Sequence, residues 1–90
     1  MKKSEKYSGG NWVVYILSCV DGSFYTGITN ELKRRIKEHE TGKGAKYTRG
    51  RTPLKLVYTE KHKDRSSALK REFEIKTLKK SEKAGLIKKK

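Results

Sequence analysis

The sequence predicts an α+β domain: a small, three-stranded, largely antiparallel sheet flanked by helices. Two apolar runs lie on either side of a turn signal at Asp21-Gly22, and a third segment, residues 54–60, alternates apolar and polar. Helical periodicity follows the second and the third of these segments. Because 90 residues can bury only one core, we expect a single domain over residues 11–80.

The first two strands are predicted to form a hairpin. Residues 12–20 are rich in β-branched and aromatic side chains, and residues 23–28 follow the turn. Asp21-Gly22 suits a two-residue type I′ turn, in which both central positions need a positive φ. Cys19 is the only cysteine, so we expect it to be a buried small hydrophobe and not part of a disulfide or a thiolate zinc site.

A first helix is predicted over residues 31–40. Asn30 is a favourable N-cap, and Gly42 is expected to end the helix. Leu32 and Ile36 recur at helical spacing and predict the buried stripe.

Two polar residues of this helix fall beside that stripe. They are Arg35 and His39, whereas Arg34 and Lys37 point to solvent on the same helical wheel. Geometry alone therefore separates one arginine of the Lys33-Arg34-Arg35 run from its neighbours.

A second helix is predicted over residues 67–79, with Ser66 as its N-cap. Glu72 lies between apolar neighbours, where a carboxylate costs several kcal/mol unless it is paired or bound to a cation. Lys76, one turn later, is the alternative partner. The apolar members of this helix are Ala68, Leu69, Phe73, Ile75 and Leu78.

The chain ends are expected to be loose. Residues 1–10 predict a flexible basic arm; within residues 81–90, a short helix over 81–87 is followed by a frayed basic tail. The first residues carry charge with no apolar stretch after them, and no run is long enough to span a membrane. We therefore expect a cytoplasmic protein without a signal peptide.

Charge predicts a nucleic-acid partner. Lysine and arginine number 24 against 10 acidic residues, a net charge of +14, and residues 46–90 hold 16 of the basic ones. A highly soluble surface without a specific site is the alternative. The glycine-rich loop at 41–53 is either a solvated connector or a grip on the nucleic-acid backbone. Its candidate binding residues are Lys43, Lys46, Tyr47, Arg49 and Arg51.

Several separated residues together predict chemistry on a phosphodiester. Tyrosine and histidine hydroxyl or ring groups can position or deprotonate water, an arginine fork suits phosphate oxygens, and one carboxylate suffices for Mg²⁺ that keeps several waters. A glycine beside a tyrosine lets backbone or substrate approach closely. The residues are Tyr15, Tyr25, Gly27, Arg35, His39 and Glu72.

Their order and spacing resemble those of the GIY-YIG nuclease superfamily, and closely its small stand-alone members. The first motif is Val13-Val14-Tyr15 and the second is Tyr25-Thr26-Gly27; Arg35 follows ten residues later, His39 four beyond it, and Glu72 in the later helix. The resemblance covers roughly residues 12–80. Val13 and Thr26 depart from the usual glycine and the usual aliphatic residue, and both keep a strand-compatible side chain.

This resemblance implies a metal-dependent endonuclease acting on DNA, with branched, damaged or single-stranded substrates expected. Arg35 would stabilise the transition-state charge, and Mg²⁺ or Mn²⁺ on Glu72 would stabilise the leaving oxygen. Tyr15 or His39 would help to take the proton from water, while Tyr25 positions it or the phosphate.

Two alternatives stay open at the level of function. One is a non-catalytic nucleic-acid-binding module that keeps the fold. The other is a subunit that becomes active or selective on a protein partner, because no recognition domain accompanies this one.

The predicted hairpin turn conflicts with a site that contains both Tyr15 and Tyr25. A strict two-residue turn would place Tyr25 opposite Ser18, on the other face of the sheet from Tyr15. We therefore predict an odd offset, either a bulge near Gly27 or a strand end that rotates one ring.

Overall fold

A computed structural model describes residues 11–89. Over that range the three predicted strands and both predicted long helices are present. In chain order the elements are β1 Trp12–Ser18, β2 Phe24–Thr29, α1 Leu32–Glu40, a 3₁₀ turn Lys46–Thr48, β3 Lys55–His62, α2 Arg65–Lys76 and α3 Lys80–Lys89.

The sheet has the order β2-β1-β3, and both of its strand pairs are antiparallel. The central strand β1 is covered on both faces, so its side chains alternate between two cores. Val14 and Ile16 pack with α2 and α3, whereas Val13, Tyr15 and Leu17 pack against α1. The predicted α+β class is confirmed, with helices on both faces of a three-stranded sheet.

The hairpin turn differs from the predicted two-residue type. The amide of Cys19 donates to the carbonyl of Ser23, and the amide of Gly22 donates back to Cys19. Gly22 has φ +86°, and no other residue type has a positive φ among residues 11–89. The loop therefore has three residues with glycine in the left-handed position, which is a G1 bulge.

This three-residue loop supplies the predicted odd offset, but it lies at the turn and not near Gly27. Tyr25 pairs with Leu17 and Gly27 pairs with Tyr15, so both tyrosines lie on one face without a bulge at Gly27. A separate irregularity lies between β1 and β3, where the register shifts between Ile16 and Leu17.

Both predicted helix caps are wrong. The N-cap of α1 is Glu31, one residue after Asn30, and it makes no side-chain cap bond. The N-cap of α2 is Asp64, two residues before Ser66, and its carboxylate accepts from the amide of Ser67 at 2.8 Å. The negative charge of Asp64 also interacts favourably with the positive end of the helix dipole, whereas the uncharged Ser66 could not do so.

The buried stripe of α2 is narrower than its apolar pattern predicted. Ala68 and Ile75 are fully buried against the sheet, whereas Leu69 is 38% exposed and Phe73 is 70% exposed. Glu72 lies at helical spacing between Ala68 and Ile75, on the stripe that faces the sheet.

A polar network fixes the start of α2 to the edge strand β3. The Glu60 carboxylate accepts from Nε of Arg71 at 2.9 and 3.1 Å and from the hydroxyl of Tyr58 at 2.6 Å. It also lies 2.7 Å from Nε2 of His62, whose Nδ1 lies 2.5 Å from the hydroxyl of Ser67. No pattern in the sequence predicted this network.

At the chain ends, α3 is longer than the predicted 81–87 helix and includes Lys88 and Lys89, which were expected to fray. The predicted arm at 1–10 and the last residue, Lys90, lie outside the described residues. Within residues 11–89, no helix combines the length and apolarity that crossing a bilayer requires.

Candidate active site

Tyr15 and Gly27 form the floor of the candidate site. They are directly paired across β1 and β2, and Tyr15 is fully buried. A Cβ atom built on Gly27 would lie 2.6 Å from the Tyr15 hydroxyl oxygen and 2.8 Å from its Cζ. The Tyr15 phenol therefore occupies the space that a side chain at position 27 would take.

Aromatic rings gather around this floor. The Tyr25 ring lies 6.3 Å from the Tyr15 ring and 5.1 Å from the His39 ring, measured between centroids. Tyr47 stacks on Tyr25 at 6.0 Å with an interplanar angle of 26°. Two strands, one helix and one loop thus contribute to a single cluster.

His39 is fully buried, and both of its ring nitrogens are hydrogen-bonded. The amide of Ala45, which can only donate, bonds Nδ1 at 3.2 Å, so Nδ1 is an acceptor and the neutral ring carries its proton on Nε2. Nε2 therefore donates to the Tyr15 hydroxyl oxygen at 2.8 Å. The hydroxyl of Thr48 lies 3.1 Å from Nδ1 and also bonds the carbonyl of Ala45.

The start of the basic loop holds the histidine in this orientation. Gly42 turns the chain after α1 with φ +84°. A Cβ atom at Gly44 would collide with Nδ1 of His39 and would lie 2.9 Å from its Cα. The loop backbone therefore packs directly on the imidazole.

Arg35 is half-buried, and its guanidinium bonds Glu38 at 2.9 Å. Its charge lowers the pKa of Tyr15 and that of His39, so Arg35 lies within electrostatic range of both. Its neighbour Arg34 is 67% exposed, as the helical wheel predicted.

The two buried groups keep their neutral forms at neutral pH. Burial raises the pKa of Tyr15 and the nearby Tyr25 adds to this, which together outweigh the lowering by Arg35. Burial lowers the pKa of His39, and the charge of Arg35 acts in the same direction. In this arrangement neither residue is free to take a proton from water, although the Tyr15 hydroxyl keeps its own proton to donate.

Glu72 comes from α2, on the other face of the sheet from α1. Its side chain is 19% exposed and bonds Nζ of Lys76 at 3.2 Å. Its charge contributes to raising the pKa of Tyr15, behind burial and Tyr25. The ion pair that the sequence offered as the alternative partner is thus present, and Glu72 still lies within electrostatic range of the tyrosine cluster.

The predicted binding loop forms the rim of the cluster. Lys43, Lys46 and Arg49 are exposed. The Arg51 guanidinium lies 4.3 Å from the centre of the Tyr47 ring and forms an ion pair with Asp21. Cationic groups therefore surround an aromatic surface that is partly open to solvent.

Comparison with known proteins shows the family of this chain. The model of the GIY-YIG catalytic domain matches residues 11–85. The chain belongs to the GIY-YIG family. This family is one of nucleases, and the chain is similar to its small stand-alone UPF0213 proteins.

The alignments with relatives span most of this chain and most of each relative. A UPF0213 protein of Natronomonas pharaonis is 53% identical over 82% of this chain and 87% of its own. A UPF0213 protein of Staphylococcus aureus is 51% identical over 83% of this chain and 92% of its own.

Solved structures share the fold. The solution structure of a UPF0213 protein from Bacillus halodurans has a TM-score of 0.59 at 50% identity, covering 89% of this chain and 85% of its own. That of an Enterococcus faecalis protein has a TM-score of 0.62 at 43% identity, covering 88% and 84%.

The residues that support His39 were not predicted from the sequence. Thr48 and the amide of Ala45 hold its ring, and Gly44 makes room for it. Only the glycine left a signal, as the second glycine of the Gly42-Lys43-Gly44 stretch that follows α1.

Proposed function

We propose that the protein is a metal-dependent endonuclease that hydrolyses phosphodiester bonds in DNA, with branched, damaged or single-stranded DNA as its substrates. The observation that supports this most directly is the buried bond between Tyr15 and His39, in a cluster with Tyr25 and under the charge of Arg35. Such a network holds the rings of Tyr15 and Tyr25 in one arrangement before substrate arrives.

Each side chain has a role that follows from its surroundings. Arg35 stabilises the negative charge that develops on the phosphate, because its planar fork donates to two oxygens at once. The hydroxyl of Tyr25, whose ring packs beside Tyr15 and His39, orients the attacking water or a phosphate oxygen, and the buried Tyr15 holds that ring in place. As the water oxygen bonds to phosphorus and the bond to the leaving oxygen breaks, the proton of the water passes to solvent. His39 is a positioning residue, since it reaches the reaction only through its bond to Tyr15.

Glu72 fits the ligand role for a divalent cation that is bound mainly by water and substrate. Within residues 11–89, no three acidic, histidine or cysteine side chains lie together as a preformed metal site. One half-buried carboxylate suits Mg²⁺ or Mn²⁺, which keeps several waters and takes phosphate oxygens as further ligands. A cation held there by Glu72 would supply positive charge to the phosphate.

The loop residues Lys43, Lys46 and Arg49, together with Tyr47 and Arg51, bind the strand that enters this site. Exposed cations contact phosphates without regard to sequence, and aromatic rings stack on bases. A protein partner that supplies target choice and a cytoplasmic location belong to the same proposal.

The second candidate function is a nucleic-acid-binding module without catalysis. One observation favours it: Lys76 already neutralises Glu72, the carboxylate that the nuclease needs for its cation. Both candidates predict DNA binding that weakens steeply with salt, because phosphate contacts release counterions. Only the nuclease predicts cleavage.

The deciding experiment is a nicking assay on labelled duplex, flap, junction and single-stranded DNA with Mg²⁺, Mn²⁺ or EDTA. We expect cutting that requires the cation and that is lost in Glu72→Gln and in Arg35→Ala. Glu74→Gln on the same helix and Arg34→Ala beside Arg35 are the matched controls, and both should cut normally. Retained cutting in both site variants refutes the proposal, and salt-sensitive binding without any cutting favours the binding module.

A further inference from the structure

A cleft of about 410 Å³ lies at the outer edge of β2, beside the tyrosine cluster. Successive strand residues point to opposite faces of a sheet, so a cleft that touches three of them in a row wraps around the strand edge. Its lining residues are Phe24, Tyr25, Thr26, Tyr47, Lys76 and Lys83.

Thr26 is a lining residue of this cleft whose hydroxyl lacks a partner among the described residues. The residue is 3% exposed, and its Oγ1 has no hydrogen-bond partner within residues 11–89. A buried hydroxyl without a partner is unfavourable, and buried polar side chains are generally satisfied. A ligand oxygen on the floor of the cleft would supply the missing bond.

The charge of the cleft favours an anion. Its described lining contains two lysines, Lys76 on α2, which is paired with Glu72, and Lys83 on α3. The ammonium group of Lys80 lies 5.8 Å from the centre of the Phe24 ring, which adds a third cation next to the lining. A hydroxyl donor with the ammonium group of Lys83, and that of Lys80 nearby, suits a phosphate.

The aromatic part of the lining favours a planar apolar group. Phe24, Tyr25 and Tyr47 contribute three rings, and Tyr47 is 41% exposed. Aromatic side chains in basic grooves stack on nucleic-acid bases of any type. Phosphate and base contacts side by side fit one nucleotide.

The cleft is continuous with the candidate active site through Tyr25. The same ring lines the cleft and lies 5.1 Å from the His39 ring. A nucleotide in the cleft is therefore next to the phosphate that Arg35 would hold.

We infer that this edge cleft binds an unpaired nucleotide adjacent to the scissile phosphate. Its base packs against Tyr25 and Tyr47, and its phosphate binds Lys83 and the hydroxyl of Thr26. Bases stacked within a duplex do not present their faces to a wall of rings, so the substrate must be single-stranded at this point. The inference rests on the proposed nuclease function for the position of the cut, and its binding step is independent of catalysis.

The test is fluorescence anisotropy in EDTA with a labelled eight-nucleotide oligo-dT strand and with a blunt duplex that has the same number of phosphates. We expect the single strand to bind more tightly than the duplex. Lys83→Met and Thr26→Val should each weaken binding of the single strand about tenfold, the size of one hydrogen bond to a charged group. Both variants should leave duplex binding nearly unchanged.

Lys88→Met removes an equal charge from the same helix outside the cleft and should weaken both DNA forms slightly and equally. Thr26→Val should also melt at the same or a higher temperature, because it removes an unsatisfied buried hydroxyl. Weaker binding in that variant is therefore not a sign of unfolding.

Two results overturn the inference: Lys83→Met has no more effect than Lys88→Met, or Thr26→Val binds the single strand at full strength. Neither result bears on metal-dependent nicking, so the inference about the cleft can be refuted while the nuclease proposal stands. Conversely, a protein that never cuts DNA and still shows this pattern retains the nucleotide-binding cleft and loses only the catalytic proposal.

Discussion

Gly27 and Tyr15 face each other across two strands with no room for a methyl group between them. The added carbon would lie 2.6 Å from the hydroxyl oxygen of Tyr15 and 2.8 Å from the ring carbon that bears it. Fully buried Tyr15 cannot turn toward solvent, and its hydroxyl is bonded to His39. The second glycine of the family motif thus maintains the position of the first tyrosine.

Gly27→Ala is therefore expected to displace the Tyr15 ring and to lower the nicking rate by about 100-fold, the effect of a misplacement of about 1 Å in an active site. Gly85→Ala, in α3 and with open space around it, is the matched control. The control should cut normally and should gain up to about 1 kcal/mol of helix stability. Normal cutting by Gly27→Ala contradicts the role of this close approach.

The pKa of His39 gives a pH prediction for stability. Burial lowers this pKa, and Arg35 lowers it further. Below about pH 6.5 the unfolded chain takes up a proton that the folded chain resists, so the free energy of unfolding should fall as the pH drops through this range. Protonation of Nδ1 would also oppose the amide of Ala45, which needs an acceptor there.

Urea denaturation at pH 7.5 and at pH 5.5 measures this effect, and His39→Gln is the comparison because glutamine does not titrate. The carboxyl groups with lowered pKa values, Asp21, Glu38 and Glu60, act at lower pH and do not interfere. A wild-type protein that is equally stable at both pH values, or more stable at pH 5.5, contradicts the prediction.

The hairpin shows what local sequence can and cannot predict. Asp21-Gly22 located the turn correctly, because a glycine with positive φ is needed in any tight hairpin there. It did not predict whether the loop has two residues or three. That single residue decides which face Tyr25 occupies, so the requirement that both tyrosines share a face had to come from chemistry.

The side chains of α1 that face the core could be predicted from the sequence, whereas the contacts that hold His39 could not. Helical spacing from Leu32 and Ile36 placed Arg35 and His39 beside the core, since a helix repeats its faces regularly. The contact between His39 and Thr48 joins two residues nine positions apart through an irregular loop. Such contacts depend on the tertiary path of the loop, which no periodicity encodes.

Lys76 is expected to compete with a divalent cation for Glu72. The ion pair spans 3.2 Å, and half of the lysine side chain is exposed, so its contribution is modest. Lys76→Met should therefore tighten Mn²⁺ binding by about two- to fivefold in the absence of DNA, as measured from the electron paramagnetic resonance signal of free Mn²⁺. Lys70→Met removes the same charge from the same helix at an exposed position and is the control. Equal affinities for the two variants would place the cation elsewhere.

The last prediction concerns the network that anchors α2, which lies away from the tyrosine cluster. Burial alone would raise the pKa of Glu60, but bonds from Tyr58, His62 and Arg71 outweigh it and lower this pKa. Arg71 makes two of those bonds and carries the compensating charge. Arg71→Met should therefore lower the free energy of unfolding by about 1–3 kcal/mol, because it leaves a half-buried carboxylate without its cation.

A double-mutant cycle separates this effect from lost packing of the arginine stem. Glu60→Gln with Arg71→Met should recover part of the lost stability, since no buried charge is then left unpaired. Nicking should change little in either variant, because β3 is the edge strand on the far side of β1 from Tyr25 and Gly27. Additive losses of stability in the cycle would show that the two side chains act independently, and a loss of nicking in a folded variant would show that the α2 anchor also controls the position of Glu72.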